Sequence, residues 1–286
     1  MDDAAAVDLI ATSWTSAGDV RPGRTGGVSP VDVDDRIAAI AGRGYAGIGL
    51  GRDDLEHLRD TIGFPALRDR IAGAGLRHVE VEFLNDWWLD GPRRAASDAD
   101  RAVLLDAAEA LGARHVKVGC GSFGDSRDHG RLLAELQRLG DEAAAHGTRI
   151  ALEPGAGSAL DLTGEAIPLL RELRHPALGL MLDPWHLVRA GLPFEQVLAD
   201  LPAELIVAVE LSDGHAVCEG TLFDDTFDRR LPPGRGDFDV PAFVAAVRSA
   251  GFDGPWGVEV MSDRTRRQAP SDVLAECATA ARECLG

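Results

Sequence analysis

The sequence predicts a (β/α)8 barrel, and three observations lead to this fold class. Strand-like apolar runs begin near Leu9, Ala46, His78, His115, Ile150, Leu178, Leu205 and Trp256. Helical patterns lie between these runs, and this alternation specifies parallel strands joined by crossover helices. The chain has 286 residues, which suits an α/β barrel of about 250 residues. We therefore expect one α/β domain over residues 1–286.

The first helical segment follows the run LIATSWT and opens with Ser29, Pro30 and Asp32, which predict an N-cap and an acidic first turn. Behind it, Ile37 and Ile40 recur at helical spacing. Later stripes after the third and fourth runs show the same spacing, namely Val103, Leu104, Ala107 and Leu111, then Leu132, Leu133, Leu136 and Leu139. Each stripe predicts a helix that packs against the barrel.

Acidic residues stand at the C-terminal ends of four runs: Glu153 in RIALEPG, Asp183 in LGLMLDPWH, Glu210 in LIVAVELSDG and Glu259 in PWGVEVMSD. A carboxylate at the end of a buried strand is costly unless it binds something. The strand ends of a parallel barrel open onto one face, so these carboxylates should converge there. Convergence predicts a site for a divalent metal. The competing interpretation is that the acids merely begin polar loops.

Alternation along the strands agrees with convergence, because residues two apart share a face. The side chains expected inside the barrel with the acids are small or flexible: Ala151, Met181 or Gly179, Ala208 or Ile206, and Gly257. The branched neighbours of the acids should face the helices: Leu152, Leu182, Val209 and Val258. By the same parity Lys117 points inward with His115, and Glu80 shares a face with Glu82.

One segment, at about 214–236, carries Gly, Pro and charge without periodicity. A loop this long on the functional face is typical of a lid or a binding element, although a solvated insertion remains the alternative. The segment Gly119 to Gly124 matches GxGxxG after a strand. It lacks the acid about 20 residues later and does not open the first βα unit, so we expect no nucleotide cofactor.

Composition limits the possible partners. The formal net charge of −18 would repel a phosphate backbone, so we expect a small neutral substrate rather than nucleic acid. The N-terminal residues lack the pattern of a signal peptide, and no run of about 18 apolar residues occurs, so we expect a cytoplasmic protein without membrane contact. The cysteines lack metal-site spacing and predict reduced thiols. A homo-oligomer or a partner subunit stays possible.

At these residues the chain resembles the xylose isomerase-like TIM-barrel superfamily of sugar isomerases, epimerases and dehydratases. The resemblance rests on ALEP at Glu153, MLDPWH at Asp183 and His186, VELSD ending at Asp213, LPPGRGDFDV, and GFDGPWGVEV. In that family Glu, Asp, His or Gln, and Glu hold a divalent metal, and the two Glu residues also move protons.

The resemblance implies that the metal ligands here are Glu153, Asp183, Glu210 and Glu259. It also implies that Glu153 and Glu259 are the catalytic acid and base. We expect the substrate-binding residues to be His186, Lys117, Trp14, Trp88, Trp185, Asp213 and Arg229. Oxygen-rich ligation favours Mn²⁺ first, with Mg²⁺, Co²⁺ or Zn²⁺ also compatible.

Glu210 stands where the family usually has a neutral ligand. Two carboxylates about 4 Å apart repel by roughly 4 kcal/mol at an effective dielectric of about 20. The repulsion must be offset, and the sequence leaves three ways open. One carboxyl stays protonated, or Lys117 or Arg229 pairs with Glu210, or His215 takes the ligand position and Glu210 turns away.

The leading prediction is a divalent-metal-dependent sugar isomerase or epimerase that acts on a keto-sugar or cyclic polyol ketone. It would abstract the proton next to the carbonyl and form a metal-bound enediolate. The alternative is a lyase that uses the same deprotonation for β-elimination, namely a 3-keto-glycoside eliminase, a C-glycoside deglycosidase or a dehydratase. Two further hypotheses are an endonuclease acting at abasic DNA and a non-catalytic barrel.

Overall fold

A computed structural model of the protein describes residues 7–122 and 124–286 and contains a closed barrel of eight strands in sequential order. All neighbouring strands are parallel, including the first and the last. The strands are β1 (Leu9–Ala11), β2 (Gly47–Gly51), β3 (His78–Leu84), β4 (Val116–Gly119), β5 (Ile150–Glu153), β6 (Leu178–Leu182), β7 (Ile206–Leu211) and β8 (Trp256–Val258). The predicted (β/α)8 barrel is confirmed.

Helices connect the strands and cover the barrel. They are α1 (Ser13–Ser16), α2 (Val33–Gly42), α3 (Arg52–Thr61), α4 (Phe64–Gly73), α5 (Gly91–Leu111), α6 (His129–Ala145), α7 (Ile167–Leu173), α8 (Pro184–Arg189), α9 (Phe194–Leu198), α10 (Leu222–Asp228), α11 (Val240–Ser249), α12 (Asp263–Arg266) and α13 (Pro270–Leu285). A π-helical turn, Leu162–Ala166, leads into α7, and a 3₁₀ turn, Ala203–Leu205, leads into β7. Within the described residues, no helix combines the length and apolarity needed to span a membrane.

Helix α2 begins three residues later than Pro30, the position that the sequence favoured for its first turn. Asp32 is the N-cap, and its carboxylate accepts a hydrogen bond from the backbone N–H of Asp34 at 2.9 Å. The hydroxyl of Ser29 instead donates to the carbonyl oxygen of Ala17 at 2.8 Å. Ser29 therefore ties the β1–α2 connection together rather than capping the helix.

The core has two parts. The large layer between sheet and helices contains Leu152, Leu182, Val209 and Val258, as alternation predicted. A small cluster inside the barrel contains Ala151, Met181, Val207 and Ala208. Val207 was not predicted there, and Ile206 packs in the outer layer. The pairing of β6 with β7 shifts in register at this point, and Gly179 leaves the space that Val207 fills.

Asp213 closes the base of the long loop that follows β7. It forms an antiparallel bridge with Leu231, and its buried carboxylate accepts the backbone N–H groups of Gly214, Gly236 and Phe238 at 2.7, 2.9 and 3.1 Å. The loop contains one short helix, α10, although its sequence shows no periodicity. Asp213, expected to contact substrate, instead fixes where the loop leaves and rejoins the barrel.

Candidate metal and active site

The four acids predicted to converge do so. One carboxylate oxygen from each of Glu153, Asp183, Glu210 and Glu259 lies within 4.8 Å of the others. All four residues are buried, and Glu210 is fully enclosed at 0% exposure. They stand at or directly after the C-terminal ends of β5, β6, β7 and β8, which is where barrels of this class assemble their sites.

Lys117 lies at the centre of this cluster. Its Nζ is 2.8 Å from Glu210 Oε1, 2.5 Å from Glu259 Oε1 and 3.6 Å from Glu153 Oε1. Burial opposes the charged ammonium, but the surrounding carboxylates raise the pKa of Lys117 well above its usual value. Lys117 is therefore a cation held between carboxylates, and its pairing with Glu210 is one of the compensations that the sequence left open.

Glu82, at the third strand, is a fifth carboxylate at the site. Its Oε2 accepts hydrogen bonds from Trp14 Nε1 at 3.1 Å and from Lys117 Nζ at 3.3 Å. Its Oε1 accepts the backbone N–H of Ser13 at 2.9 Å. Glu82 thus helps to fix both Lys117 and Trp14. Strand parity indicated that Glu82 shares a face with Glu80, but it did not reveal these partners.

Arg230 is the second buried cation of the site, although the sequence favoured its neighbour Arg229 for contact with the substrate. Its Nη1 donates to Asp183 Oδ2 and lies 3.2 Å from Glu259 Oε2. The guanidinium stands over the Trp185 ring, 4.9 Å from its centroid. It also donates to the hydroxyl of Thr226 in α10 at 3.0 Å. Arg230 therefore joins the carboxylate cluster to the long loop.

Arg229, the arginine expected to bind substrate, points to the other side of the same segment. Its Nη2 pairs with Glu219 at 2.6 Å and its Nε lies 3.7 Å from Asp225. Two antiparallel bridges, Arg229 with Ser262 and Leu231 with Asp213, hold this segment, so consecutive side chains alternate between its two sides. That alternation sends Arg230 into the barrel mouth and Arg229 away from it.

His186 presents a neutral ring to the cluster. Its Nδ1 accepts the backbone N–H of Ala156 at 3.2 Å, which is closer than the 3.5 Å between Nε2 and Arg230 Nη2, so we assign the ring proton to Nε2. Nε2 lies 3.7 Å from Glu153 Oε1 and 4.0 Å from Asp183 Oδ2. Burial lowers the pKa of His186 to about 3, and Arg230 adds to this while Asp183 opposes it. His186 is thus an N–H donor beside Glu153.

Burial also raises the pKa of several acids in the barrel. It brings the pKa of Glu153 to about 8, with Lys117 opposing the rise and Glu259 adding to it. The pKa of Glu210 lies well above its usual value for the same reason, with repulsion from Glu259 contributing. Deeper in the barrel, burial and Glu82 raise the pKa of Glu80 to about 8. The two candidate ligands among these groups, Glu153 and Glu210, hold protons that a bound cation would displace.

His215 does not approach the cluster. Its side chain is about half exposed, and its Nδ1 lies 3.7 Å from Asp237 on the long loop. The hypothesis that His215 takes the ligand position is therefore wrong, because its loop leads it away from the barrel mouth. Lys117 offsets the excess negative charge at Glu210. Protonation of Glu210, whose pKa is raised, is the second compensation.

A cavity of about 680 Å³ opens above the cluster. Glu82, Glu153 and His186 line it directly, whereas Glu259, Asp183, Glu210, Lys117 and Arg230 lie beneath its floor. Trp14 and Trp185 line it as expected. Trp88 does not, because its ring is buried against Trp87 and its Nε1 donates to the carbonyl of Ser126 at 2.8 Å.

A divalent cation fits this set of donors. Glu153 Oε1 and Glu210 Oε2 are buried and have no hydrogen-bond partner among the residues that the structure describes. If all are ionised, five carboxylates face two cations and leave three negative charges without compensation. All-oxygen ligation is typical of Mg²⁺ and Mn²⁺ sites. The ligands would be Glu153, Asp183, Glu210 and Glu259.

Comparison with known proteins identifies relatives for this barrel. The chain is 31% identical over 237 residues to a 3-dehydroshikimate dehydratase of Pseudomonas aeruginosa and 29% identical over 251 residues to a 3-dehydroshikimate dehydratase of Pseudomonas putida. These matches cover 81% and 84% of this chain but 36% and 38% of the relatives. The chain therefore spans little more than a third of the length of the curated relatives it matches.

Solved structures share the fold at lower identity. A D-allulose 3-epimerase from Methylomonas sp. is 19% identical with a TM-score of 0.73, covering 98% of both chains. The IOLI protein, crystallised with a bound zinc atom, is 16% identical with a TM-score of 0.78, covering 97% of this chain and 98% of that one. A family profile described as xylose isomerase-like TIM barrel matches residues 37–282. Since that match spans most of the chain, the protein belongs to the xylose isomerase-like TIM-barrel family.

Proposed function

We propose that this barrel is a metal-dependent lyase that removes the proton next to the ketone of a cyclic hydroxyketone and eliminates a group from the β-carbon. The observation that carries the proposal is the unequal access to the two catalytic candidates. Glu153 lines the cavity, while Glu259 lies beneath the floor at 1% exposure, between Lys117 and Arg230. Access to only one of these two candidates suits elimination on one face of a ring.

An epimerase that exchanges protons on opposite faces of one carbon needs two acid–base groups with the substrate between them. The second of the two candidate groups, Glu259, is buried and does not line the cavity. The geometry thus supports the lyase hypothesis ahead of the isomerase or epimerase. The two dehydratase relatives, similar over most of this chain, also support it.

In the proposed reaction the Glu153 carboxylate takes the proton from the carbon next to the ketone. The electron pair of that C–H bond forms the new carbon–carbon double bond, and the bond from the β-carbon to its oxygen substituent breaks with its electron pair leaving on that oxygen. The protonated Glu153 returns its proton to the leaving oxygen, while the Nε2–H of His186 hydrogen-bonds to it. A divalent cation held by the four carboxylates would supply polarisation of the ketone.

The test is incubation of the purified protein and Mn²⁺ in deuterated water, first with 3-dehydroshikimate and then with a 3-keto-glycoside. Formation of an unsaturated product, or release of the aglycone, supports elimination. Deuterium that enters an otherwise intact substrate would instead support epimerisation. If neither substrate gains deuterium nor loses its leaving group, the proposal is overturned.

Metal binding should stabilise the protein more at pH 8 than at pH 5. The raised pKa values of Glu153 and Glu80, both about 8, mean that the folded state binds more protons than the unfolded state between about pH 4.5 and 8. The stability of the metal-free protein therefore falls as the pH rises through this window. Mn²⁺ replaces the proton of its ligand Glu153, so at 100-fold excess over its Kd it should raise Tm by on the order of 5 to 10 °C at pH 8.

Differential scanning calorimetry with and without Mn²⁺ at both pH values measures the rise in Tm, and addition of a chelator should reverse it. Glu276→Gln is a suitable control variant because Glu276 lies at the surface beside Arg264 and should leave the shift unchanged. An equal response to Mn²⁺ at pH 5 and pH 8, or no response at either, contradicts the expectation.

A further inference from the structure

The outer wall of the cavity is aromatic, in contrast to its acidic floor. Three rings form a continuous strip, which we call the aromatic strip: Trp14, Phe227 and Phe223. The Trp14 and Phe227 centroids are 5.8 Å apart, and those of Phe227 and Phe223 are 4.7 Å apart. All three line the cavity, and Leu222 extends the apolar surface at its rim.

The strip begins at the polar floor. Trp14 Nε1 donates to Glu82 Oε2, the same oxygen that accepts from Lys117. Trp14 therefore presents its ring to the cavity while its polar edge is fixed beside the carboxylates. A ring bound over Glu153 would have a path of aromatic surface leading outward from it.

The outer end of the aromatic strip is exposed to solvent. Phe223 is 49% exposed and Leu222 is 39% exposed, and these neighbours are two of only five large hydrophobic side chains exposed in the described part of the chain. Exposed apolar surface grouped in a cleft marks a binding site more often than scattered surface residues do. Half of the Phe223 surface is available to a ligand.

Ion pairs hold α10, which carries Phe223 and Phe227, in this position. Arg21 pairs with Asp224 at 3.1 Å and with Asp228 at 2.7 Å, and its guanidinium covers Phe223 at 5.2 Å from the ring centroid. Asp225, on another side of the helix, pairs with Arg189 at 2.8 Å. Helix α10 is thus fixed to the segment between α1 and α2 and to α8. Its rings therefore need not move to accept a ligand.

We propose that the substrate carries a flat apolar group, an aryl ring, attached to its polar ring, and that the aromatic strip is the subsite for this aryl group. The proposal rests on the proposed function for the identity of the polar ring. The cavity volume agrees, since about 680 Å³ is far more than one polyol ring fills and falls within the roughly 300–1,000 Å³ of sites for larger ligands. Aromatic faces bind aryl rings by offset or edge contacts and by burial of apolar area.

The test compares two glycosides that lack a ketone and so are not turned over, 4-nitrophenyl β-D-glucopyranoside and methyl β-D-glucopyranoside. Titration calorimetry with the full chain and Mn²⁺ should give a Kd for the aryl glycoside on the order of tenfold lower or more. Phe223→Ala should reduce that preference to about threefold or less and leave the methyl glycoside unchanged. Val217→Ala is the matched control, because Val217 is 70% exposed but does not line the cavity.

Equal affinity for the two glycosides, or no binding of either, overturns the aryl subsite. So does a Phe223→Ala variant that weakens both ligands to the same degree. Because the measurement needs no turnover, its failure leaves elimination at Glu153 intact. Aryl preference without any elimination activity would refute the proposed function and keep the subsite.

Discussion

Glu153→Gln is expected to lower kcat by about 10²- to 10⁴-fold, the range that a general base contributes. Glutamine has nearly the same size and can still accept a hydrogen bond, but it cannot take the substrate proton. Glu153 lines the cavity, and its Oε1 has no hydrogen-bond partner among the described residues, so the substitution breaks no hydrogen bond to that oxygen. Steady-state kinetics at saturating Mn²⁺, together with the Mn²⁺ affinity, checks the expectation.

Two variants separate proton transfer from the other roles of these acids. Glu283→Gln removes a surface carboxylate paired with Arg235 and should keep full activity. Glu259→Gln should weaken Mn²⁺ binding and reduce kcat through that loss, so excess Mn²⁺ should recover part of the rate. If Glu259→Gln is inactive at every Mn²⁺ concentration while Glu153→Gln turns over normally, the proton acceptor is Glu259 and our assignment is wrong.

The barrel and the convergence of its acids could be predicted because both depend on local periodicity. Alternation along β5 puts Glu153 and Ala151 on the inner face and Leu152 on the outer face, and the structure agrees. The exception, Val207, lies where the pairing of β6 with β7 shifts. Such a shift depends on contacts between strands, so it cannot be predicted from the periodicity of one strand.

The cations of the site could not be assigned in the same way. Arg229 and Arg230 are adjacent in an aperiodic loop, and only the bridges to Asp213 and Ser262 decide which of them enters the barrel. The sequence showed that Glu210 needs compensation but not which group supplies it. Lys117 pairs with four carboxylates from four strands, and that arrangement exists only after the barrel closes.

Lys117→Met is expected to destabilise the metal-free protein by about 3–5 kcal/mol, because it leaves buried carboxylates without their shared cation. The loss should be larger at pH 9 than at pH 6. The carboxylates raise the pKa of Lys117, so the wild-type ammonium stays charged throughout this range. Glu153 and Glu80 ionise around pH 8, so the missing positive charge matters most above that pH. Urea denaturation at the two pH values measures the difference.

The same variant shows whether Lys117 competes with the bound metal or orders its ligands. Removing a positive charge 2.5 Å from Glu259 and 2.8 Å from Glu210 should tighten Mn²⁺ binding by on the order of tenfold or more, since like charges no longer repel. Arg36→Met is the control, because it breaks a buried pair with Asp54 outside the cluster and should lower stability without changing Mn²⁺ affinity. Weaker Mn²⁺ binding by Lys117→Met would mean that the lysine holds the carboxylates in place for the ion rather than competing with the ion for them.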